Sequence, residues 1–308
     1  MTPAMKKEKY KVVGIGEILW DLLPDGKHLG GAPANFAYIT SLLGDEGFVA
    51  SRVGSDTLGR EATRQLASLG LAATFVQKDS EHPTGTVKVE VHGAGQPRFE
   101  IASSVAWDFL EWTPQWQQLA IEADAVCFGS LAQRSPESHQ TIRQFLLHTP
   151  PDAVRIFDVN LRQAFYSPQI LGESAKLAQI MKLNHDELPQ IMRLLDLGHV
   201  DEPSSALRLV SLFGLKLVCV TRGDHGSLLV TSEETCEHRG FRIQVADTIG
   251  AGDAFTAGLV HHYLRGCSLE AMNDAANRMG AWVARHAGAT PAPDSAGLAF
   301  ALANITAC

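Results

Sequence analysis

The chain has 308 residues, 45% of them hydrophobic and 19% charged, with 34 acidic against 26 basic side chains and a formal net charge of −8. This composition excludes disorder and fibrous structure, allows a sizeable core, and supplies no general basic field for a nucleic acid. Five cysteines, Cys127, Cys219, Cys236, Cys267 and Cys308, lie far apart with no CxxC pair, which argues for reduced thiols rather than a zinc knuckle or disulfide framework.

The N-terminal stretch, Met1 to Lys11, is polar, and the apolar run after it is broken by Gly14 and Gly16, too soon for a signal peptide. No later run is long enough to span a membrane, so a cytoplasmic protein is expected. Tyr10–Ile15 reads as a first strand, and Asp21 follows it as a turn carboxylate. Gly30-Gly-Ala-Pro-Ala-Asn35 opens a helix, with Pro33 in the favoured first turn and Phe36, Ile39 and Leu43 at helical spacing. Phe48–Val53 is a second strand, followed by a helix over Asp56–Leu69 with Leu58, Ala62, Leu66 and Leu69 on one stripe. Thr84–Val91 alternates strictly in polarity, His92–Pro97 supplies turn residues, and Arg98–Ile101 is extended again, which predicts a hairpin. That hairpin reads either as a lid over a site or as an ordinary edge hairpin. Ala125–Phe128, Val154–Phe157 and Leu215–Val220 are further apolar strands, and Glu137–Leu147 is a helix between them. Alternating elements with strands apolar throughout predict an α/β fold, a parallel sheet covered on both faces.

Two glycine-rich segments carry the chemistry. In Asp247-Thr-Ile-Gly-Ala-Gly-Asp253, small residues precede a helix bearing Ala254, Phe255, Gly258 and Leu259. Amides at such a helix start lack partners, and their dipole favours a phosphoryl group. A carboxylate there is commonly a cap or dipole partner, but beside an anion cradle Asp253 is also placed to take a proton from an attacking alcohol. In the earlier segment the glycines let a ligand approach the backbone, and Asn35 offers donor and acceptor to hydroxyls. Asp21 has the chemistry to accept two hydroxyl hydrogen bonds.

Together these segments, with Asn184-His-Asp-Glu187, Thr221-Arg-Gly-Asp-His-Gly226 and a helix carrying Asn277, resemble the ribokinase-like (PfkB-type) carbohydrate kinases over nearly the whole chain. The resemblance implies a single domain over residues 1–308, a three-layer α/β/α Rossmann-like core with a small β-sheet lid from about residues 20–30 and 84–103. It implies Asp253 as base, Gly250, Ala251 and Gly252 as anion hole, and Asp21, Gly31 and Asn35 on the sugar. Thr221, Gly223, Gly226 and Asn277 would line the ATP site, Asn184 and Glu187 would organise Mg2+ through water, and Asp247 would help hold K+.

Asp158-Val-Asn-Leu-Arg162 resembles the segment of fructokinases and 2-keto-3-deoxygluconate kinases. Arg162 and Arg98 are candidate forks for a sugar hydroxyl or carboxylate, and Gln133 is a candidate pocket residue. Phe99–Leu110 lacks a tyrosine-rich lid, which favours fructose over the keto acid; a ribokinase-type activity is a further alternative. The contrasting reading is a sugar or nucleotide sensor without turnover, and a homodimer through the lid is expected. A nicotinamide reading of Gly14-Ile-Gly-Glu17 fails for want of the third glycine, there is no Walker sequence, and His185-Asp-Glu187 lacks the cysteines of a deaminase.

Overall fold

The computed structural model describes residues 7–23, 26–90, 98–198 and 200–293. The strands are β1 (Lys11–Ile15), β2 (Leu19–Leu23), β3 (Gly26–Gly30), β4 (Glu46–Gly54), β5 (Val76–Asp79), β6 (Gly85–Glu90), β7 (Arg98–Ile101), β8 (Ala125–Phe128), β9 (Val154–Asp158), β10 (Ile180–Asn184), β11 (Leu217–Thr221), β12 (Ser227–Val230) and β13 (Thr235–His238). The helices are α1 (Ala32–Leu42), α2 (Thr57–Ser68), α3 (Pro114–Glu122), α4 (Pro136–His148), α5 (Pro168–Leu177), α6 (Glu187–Leu194), α7 (Glu202–Phe213), α8 (Ala251–Leu264) and α9 (Leu269–Ala284).

The main sheet runs β13-β12-β11-β10-β9-β8-β1-β4-β5. From β5 to β11 every pair is parallel, while β12 and β13 add on antiparallel. Successive residues of an inner strand face opposite layers, which is why these strands carry no polar alternation. Val12 joins a core with Phe36 of α1, Leu66 of α2, Leu259 of α8 and Trp282 of α9. Its neighbour Val13 joins the other core, with Trp116 of α3, Phe145 of α4, Leu171 of α5 and Leu209 of α7. The three-layer ribokinase-like α/β fold expected from the sequence is therefore present.

Gly14 explains how α1 packs on β1, since a Cβ there would lie 2.3 Å from the Pro33 carbonyl oxygen. The Gly14/Gly16 pair thus serves helix packing, in keeping with the rejected nicotinamide reading.

A second sheet, ordered β3-β2-β6-β7, leaves the main one after β1 and again after β5. β2 pairs antiparallel with β3 and parallel with β6, and β6 pairs antiparallel with β7. The predicted hairpin is present, with Val87 buried and Lys88 exposed on its alternate faces; its turn at 92–97 lies outside the described residues. Asp21 corrects the sequence reading: it lies within β2 opposite His28, not in a turn. Asp56 fastens this sheet to the core. Its carboxylate accepts the Gly59 N–H at 2.7 Å, capping α2, and also the Thr84 N–H and hydroxyl at 2.8 and 2.7 Å. Trp20 of β2 donates its indole N–H to the Leu58 carbonyl at 3.0 Å.

Cys127, Cys219 and Cys236 are free, whereas Cys267 is disulfide-bonded, against the expectation of five reduced thiols. Among the described residues no helix is long and apolar enough to cross a membrane.

Candidate active site

The chain order reverses around β1, which lies between β4 and β8. In open α/β sheets, ligands bind outside the carboxyl ends of the strands at such a switch point. Glu17 after β1, Asp158 at the end of β9, Asn184 at the end of β10 and Thr221 at the end of β11 all stand on this edge.

Helix α8 starts there from Gly250, whose φ of 76° is left-handed and which a Cβ could not share with Ala289, 2.4 Å away. The Ala251 N–H turns back to the Thr248 carbonyl at 3.2 Å and Ala254 bonds Gly250 at 2.9 Å. Among the described residues the amides of Gly250, Gly252 and Asp253 have no acceptor, so of the Gly250-Ala251-Gly252 reading only the Ala251 amide is spent on the turn itself. Gly252 has no left-handed φ. Its missing Cβ instead makes room for the Lys182 ammonium, which would lie 3.0 Å from it.

Asp253 is buried, and Asn35 of α1 donates Nδ2 to its Oδ2 at 2.8 Å. This one bond joins the two glycine-rich segments, 218 residues apart in sequence. Burial, followed by the nearby Asp158 charge, pushes the Asp253 carboxyl up to about 6, while Asn35, Lys182 and Arg162 pull it down. Asn35 therefore spends a donor on the carboxylate, where the sequence assigned it to hydroxyls alone. At the start of α1, Gly31 has φ 116°, and its Cβ position lies 2.4 Å from the Glu17 carbonyl oxygen.

Glu17, Asp158, Lys182 and Thr256 complete the buried floor and were not singled out as site residues from sequence. Asp158 and Lys182 are partners across β9 and β10, with Nζ 3.0 and 3.2 Å from the two carboxylate oxygens. The Thr256 hydroxyl donates to Asp158 Oδ2 at 3.0 Å. Burial would lower the Lys182 pKa, but the charges of Asp158, Glu187 and Asp253 hold it above the ordinary lysine range. Glu17 is pushed up to about 7, chiefly by burial and then by the Asp253 charge, with Arg162 opposing. A signal for Lys182 did exist in the sequence: a lysine inside the otherwise apolar Ile180–Leu183 run is anomalous for an inner strand.

Asp21 is raised by burial and held down by His28 and then Arg162, and its Oδ2 would lie 2.5 Å from a Cβ on Gly30. The exposed Arg162 thus sits within electrostatic reach of Asp21, Glu17 and Asp253 together. Arg98 begins β7, and its side chain lies outside the described residues. Gln133 is a correction. It is buried, donating to the Gly129 carbonyl and the Ser174 hydroxyl at 2.8 and 3.0 Å, with Oε1 3.0 Å from His139 Nδ1; it ties α4 to α5 instead of lining a sugar pocket.

The residues assigned to nucleotide divide. Thr221 ends β11, and Gly223 has a left-handed φ of 61°, which accounts for the glycine, with open space where a Cβ would be. Gly226 has no such space: the His238 carbonyl oxygen is 2.0 Å from its Cβ position, so it serves the return of β13. Asn277 donates Nδ2 to the Ser227 hydroxyl at 2.7 Å and to the Asn273 carbonyl at 2.8 Å, locking α9 to β12 and leaving only its carbonyl oxygen for a ligand. Asn184 Oδ1 accepts the Asp186 and Glu187 N–H groups at 2.9 and 2.8 Å. Glu187 accepts the Leu161 and Asn184 N–H groups at 2.8 and 2.9 Å, pinning the loop that carries Arg162. Asp247 accepts Ile249 N–H at 3.0 Å and Gly288 N–H at 3.1 Å, bracing the turn before α8. Among the described residues no group of three or more His, Cys, Asp or Glu side chains could hold a metal ion. Both Glu187 oxygens already accept a backbone N–H, so a magnesium here would meet this carboxylate through water.

A family model described as pfkB family carbohydrate kinase matches residues 25–295. The uncharacterized sugar kinase PH1459 from Pyrococcus horikoshii is 30% identical over 301 residues, covering 92% of each chain. Its structure in complex with ATP superposes with a TM-score of 0.78 over 94% of this chain and 97% of that one, at 28% identity. A fructokinase from Escherichia coli is 31% identical over 265 residues, 81% of this chain and 83% of its own. A fructokinase from Vibrio cholerae O395, solved in its fructose, ADP and calcium ion bound form, has a TM-score of 0.78 at 26% identity over 95% of this chain and 98% of its own.

Proposed function

This chain belongs to the pfkB family of carbohydrate kinases, phosphotransferases whose acceptor is a sugar hydroxyl, and we propose that it transfers the γ-phosphoryl of Mg-ATP to fructose, giving fructose 6-phosphate. The observation that carries the reading is the Asn35–Asp253 bond at 2.8 Å: it sets a buried carboxylate between the hydroxyl-binding helix α1 and the amides that open α8.

In this reading Asp21 and Asn35, with the close backbone at Gly31, orient the sugar, and Arg162 closes the same side. As the sugar oxygen forms its bond to the γ-phosphorus, its proton passes to the Asp253 carboxylate, and the bond from phosphorus to ADP breaks. The N–H groups of Gly252 and Asp253 face the charge that builds on the equatorial oxygens. Thr221 and Gly223 take the nucleotide, and the second sheet acts as lid. Glu187 would organise a magnesium through water, which would neutralise charge on the phosphates, and Asp247 would help hold a K+.

Fructose is favoured by the absence of a tyrosine-rich lid and by the fructokinase relatives; the Asp158–Arg162 segment resembles that of fructokinases and 2-keto-3-deoxygluconate kinases alike. The exposed Arg162 guanidinium keeps 2-keto-3-deoxygluconate as the second reading, because a guanidinium fork suits a carboxylate. ADP release from Mg-ATP, measured with fructose, ribose, 2-keto-3-deoxygluconate and nucleosides, is the test. Fructose is expected to give the highest kcat/KM. Preference for the keto acid would move the assignment to that substrate, and no sugar-dependent release with any compound would leave a sensor.

A further inference from the structure

The inner strands of the main sheet are largely apolar, with Ser51 and Arg52 of β4 and Arg155 of β9 among the exceptions, and β10 buries Lys182 in the middle of that sheet. A buried ion pair contributes little to stability compared with apolar packing of the same volume, so its place calls for another reason. Three observations supply one. Lys182 Nζ holds both oxygens of Asp158, at 3.0 and 3.2 Å, and an ammonium has a third N–H, which has no acceptor among the described residues. Gly252 has an ordinary φ, so backbone conformation does not demand glycine there; what a side chain would meet is the Lys182 ammonium, 3.0 Å from the Cβ position. Thr256, one turn along α8 from Gly252, sets its hydroxyl 3.0 Å from Asp158 Oδ2 and 2.9 Å from the Gly252 carbonyl, one proton between two acceptors, so the ion pair lies against the turn it underlies.

We propose that Lys182 is a positioning residue for phosphoryl transfer: a fixed ammonium, steered by Asp158 and Thr256, that backs the Gly252–Asp253 amides and favours negative charge on the group in flight. This rests on the kinase reading above. The interaction is stronger in the transition state than in the ground state, because charge moves onto the transferring oxygens there, and in a buried setting a fixed charge acts with little screening. Lys182 does so through the turn, as a preorganised field.

The test compares affinity for ADP alone with affinity for ADP plus aluminium fluoride, a mimic of the transferring phosphoryl, in the presence of the sugar that drives ADP release. Lys182→Met alone strands a buried carboxylate and is at risk of misfolding. The pair of variants is therefore Asp158→Asn with Lys182→Met, neutral in total, and Asp158→Asn alone, which keeps the ammonium; thermal melts confirm that both fold. The double variant is expected to bind ADP as the wild type does and to lose on the order of 10–100-fold in affinity for the mimic. Asp158→Asn alone, which keeps the ammonium but removes one of the groups that steer it, is expected to bind the mimic less tightly than the wild type and more tightly than the double variant. A double variant that traps the mimic like the wild type, or two variants that lose it equally, would overturn the role of Lys182. Sugar-independent trapping by the wild type would instead sink the kinase reading and leave a separate mark.

Discussion

As the proposed base, Asp253 has to be charged at neutral pH in a place that resists charge. Burial and Asp158 push its carboxyl up to about 6, so the working form appears as pH rises through that value, and turnover should climb to a plateau above it. A pH–rate profile checks this; a flat profile between about pH 5 and 8 would argue against a carboxylate base. Replacing Asp253 with Asn should lower kcat by about 10²–10⁴-fold with ATP affinity kept. The same change should raise the melting temperature. A native pKa lifted above the unfolded 3.8 means that folding loses stability as pH rises through the window from 3.8 to about 6, and Asn removes that loss. Asn35→Ala removes the hydrogen bond that favours the charged form, so the acid limb should move to higher pH; an unchanged limb would show that the bond does not act on the base.

At the scale of the element, the two glycines that open α8 do different work. Gly250→Ala forces a left-handed φ on alanine and collides with Ala289 at 2.4 Å, so it should cost about 1–3 kcal/mol, read as a lower denaturant midpoint. Gly252→Ala meets only the end of a lysine, 3.0 Å off, so it should fold nearly normally and lose kcat. The sequence showed that both were glycine and that a helix followed, but not why. Their reasons lie in Ala289 and Lys182, brought near by tertiary packing alone.

The same limit explains the other misplacements. Strands such as Ala125–Phe128 and Val154–Phe157 were legible because burial on both faces leaves a largely apolar run. Gln133 and Gly226 were read from the motif or strand end they belong to. Their partners, Ser174 and the His238 carbonyl, come from segments whose approach no local pattern records. Asp21 looked like a turn because its own strand is short and is completed by β3 and β6 across the second sheet.

For the whole molecule, the two sheets must move or hold as units, and Asp56 is a rivet between them. Burial would raise its carboxyl, but hydrogen bonds from Thr84 and Gly59 hold it below the usual range. Asp56→Ala takes away a helix cap and the anchor of β6 at once. It should cost about 0.5–2 kcal/mol of stability and raise the KM for sugar more than that for ATP, because Asp21 travels with the sheet that is loosened. Equal changes in both KM values would mean that the second sheet has no special part in holding the sugar.

The bond between Asn35 and Asp253 spans most of the polypeptide, and this bears on how the protein is made. A ribosome delivers α1, the proposed sugar-orienting helix, early and Asp253, the proposed proton acceptor, late. On that proposal a growing chain lacks the group that would activate a hydroxyl until the later helix emerges and docks.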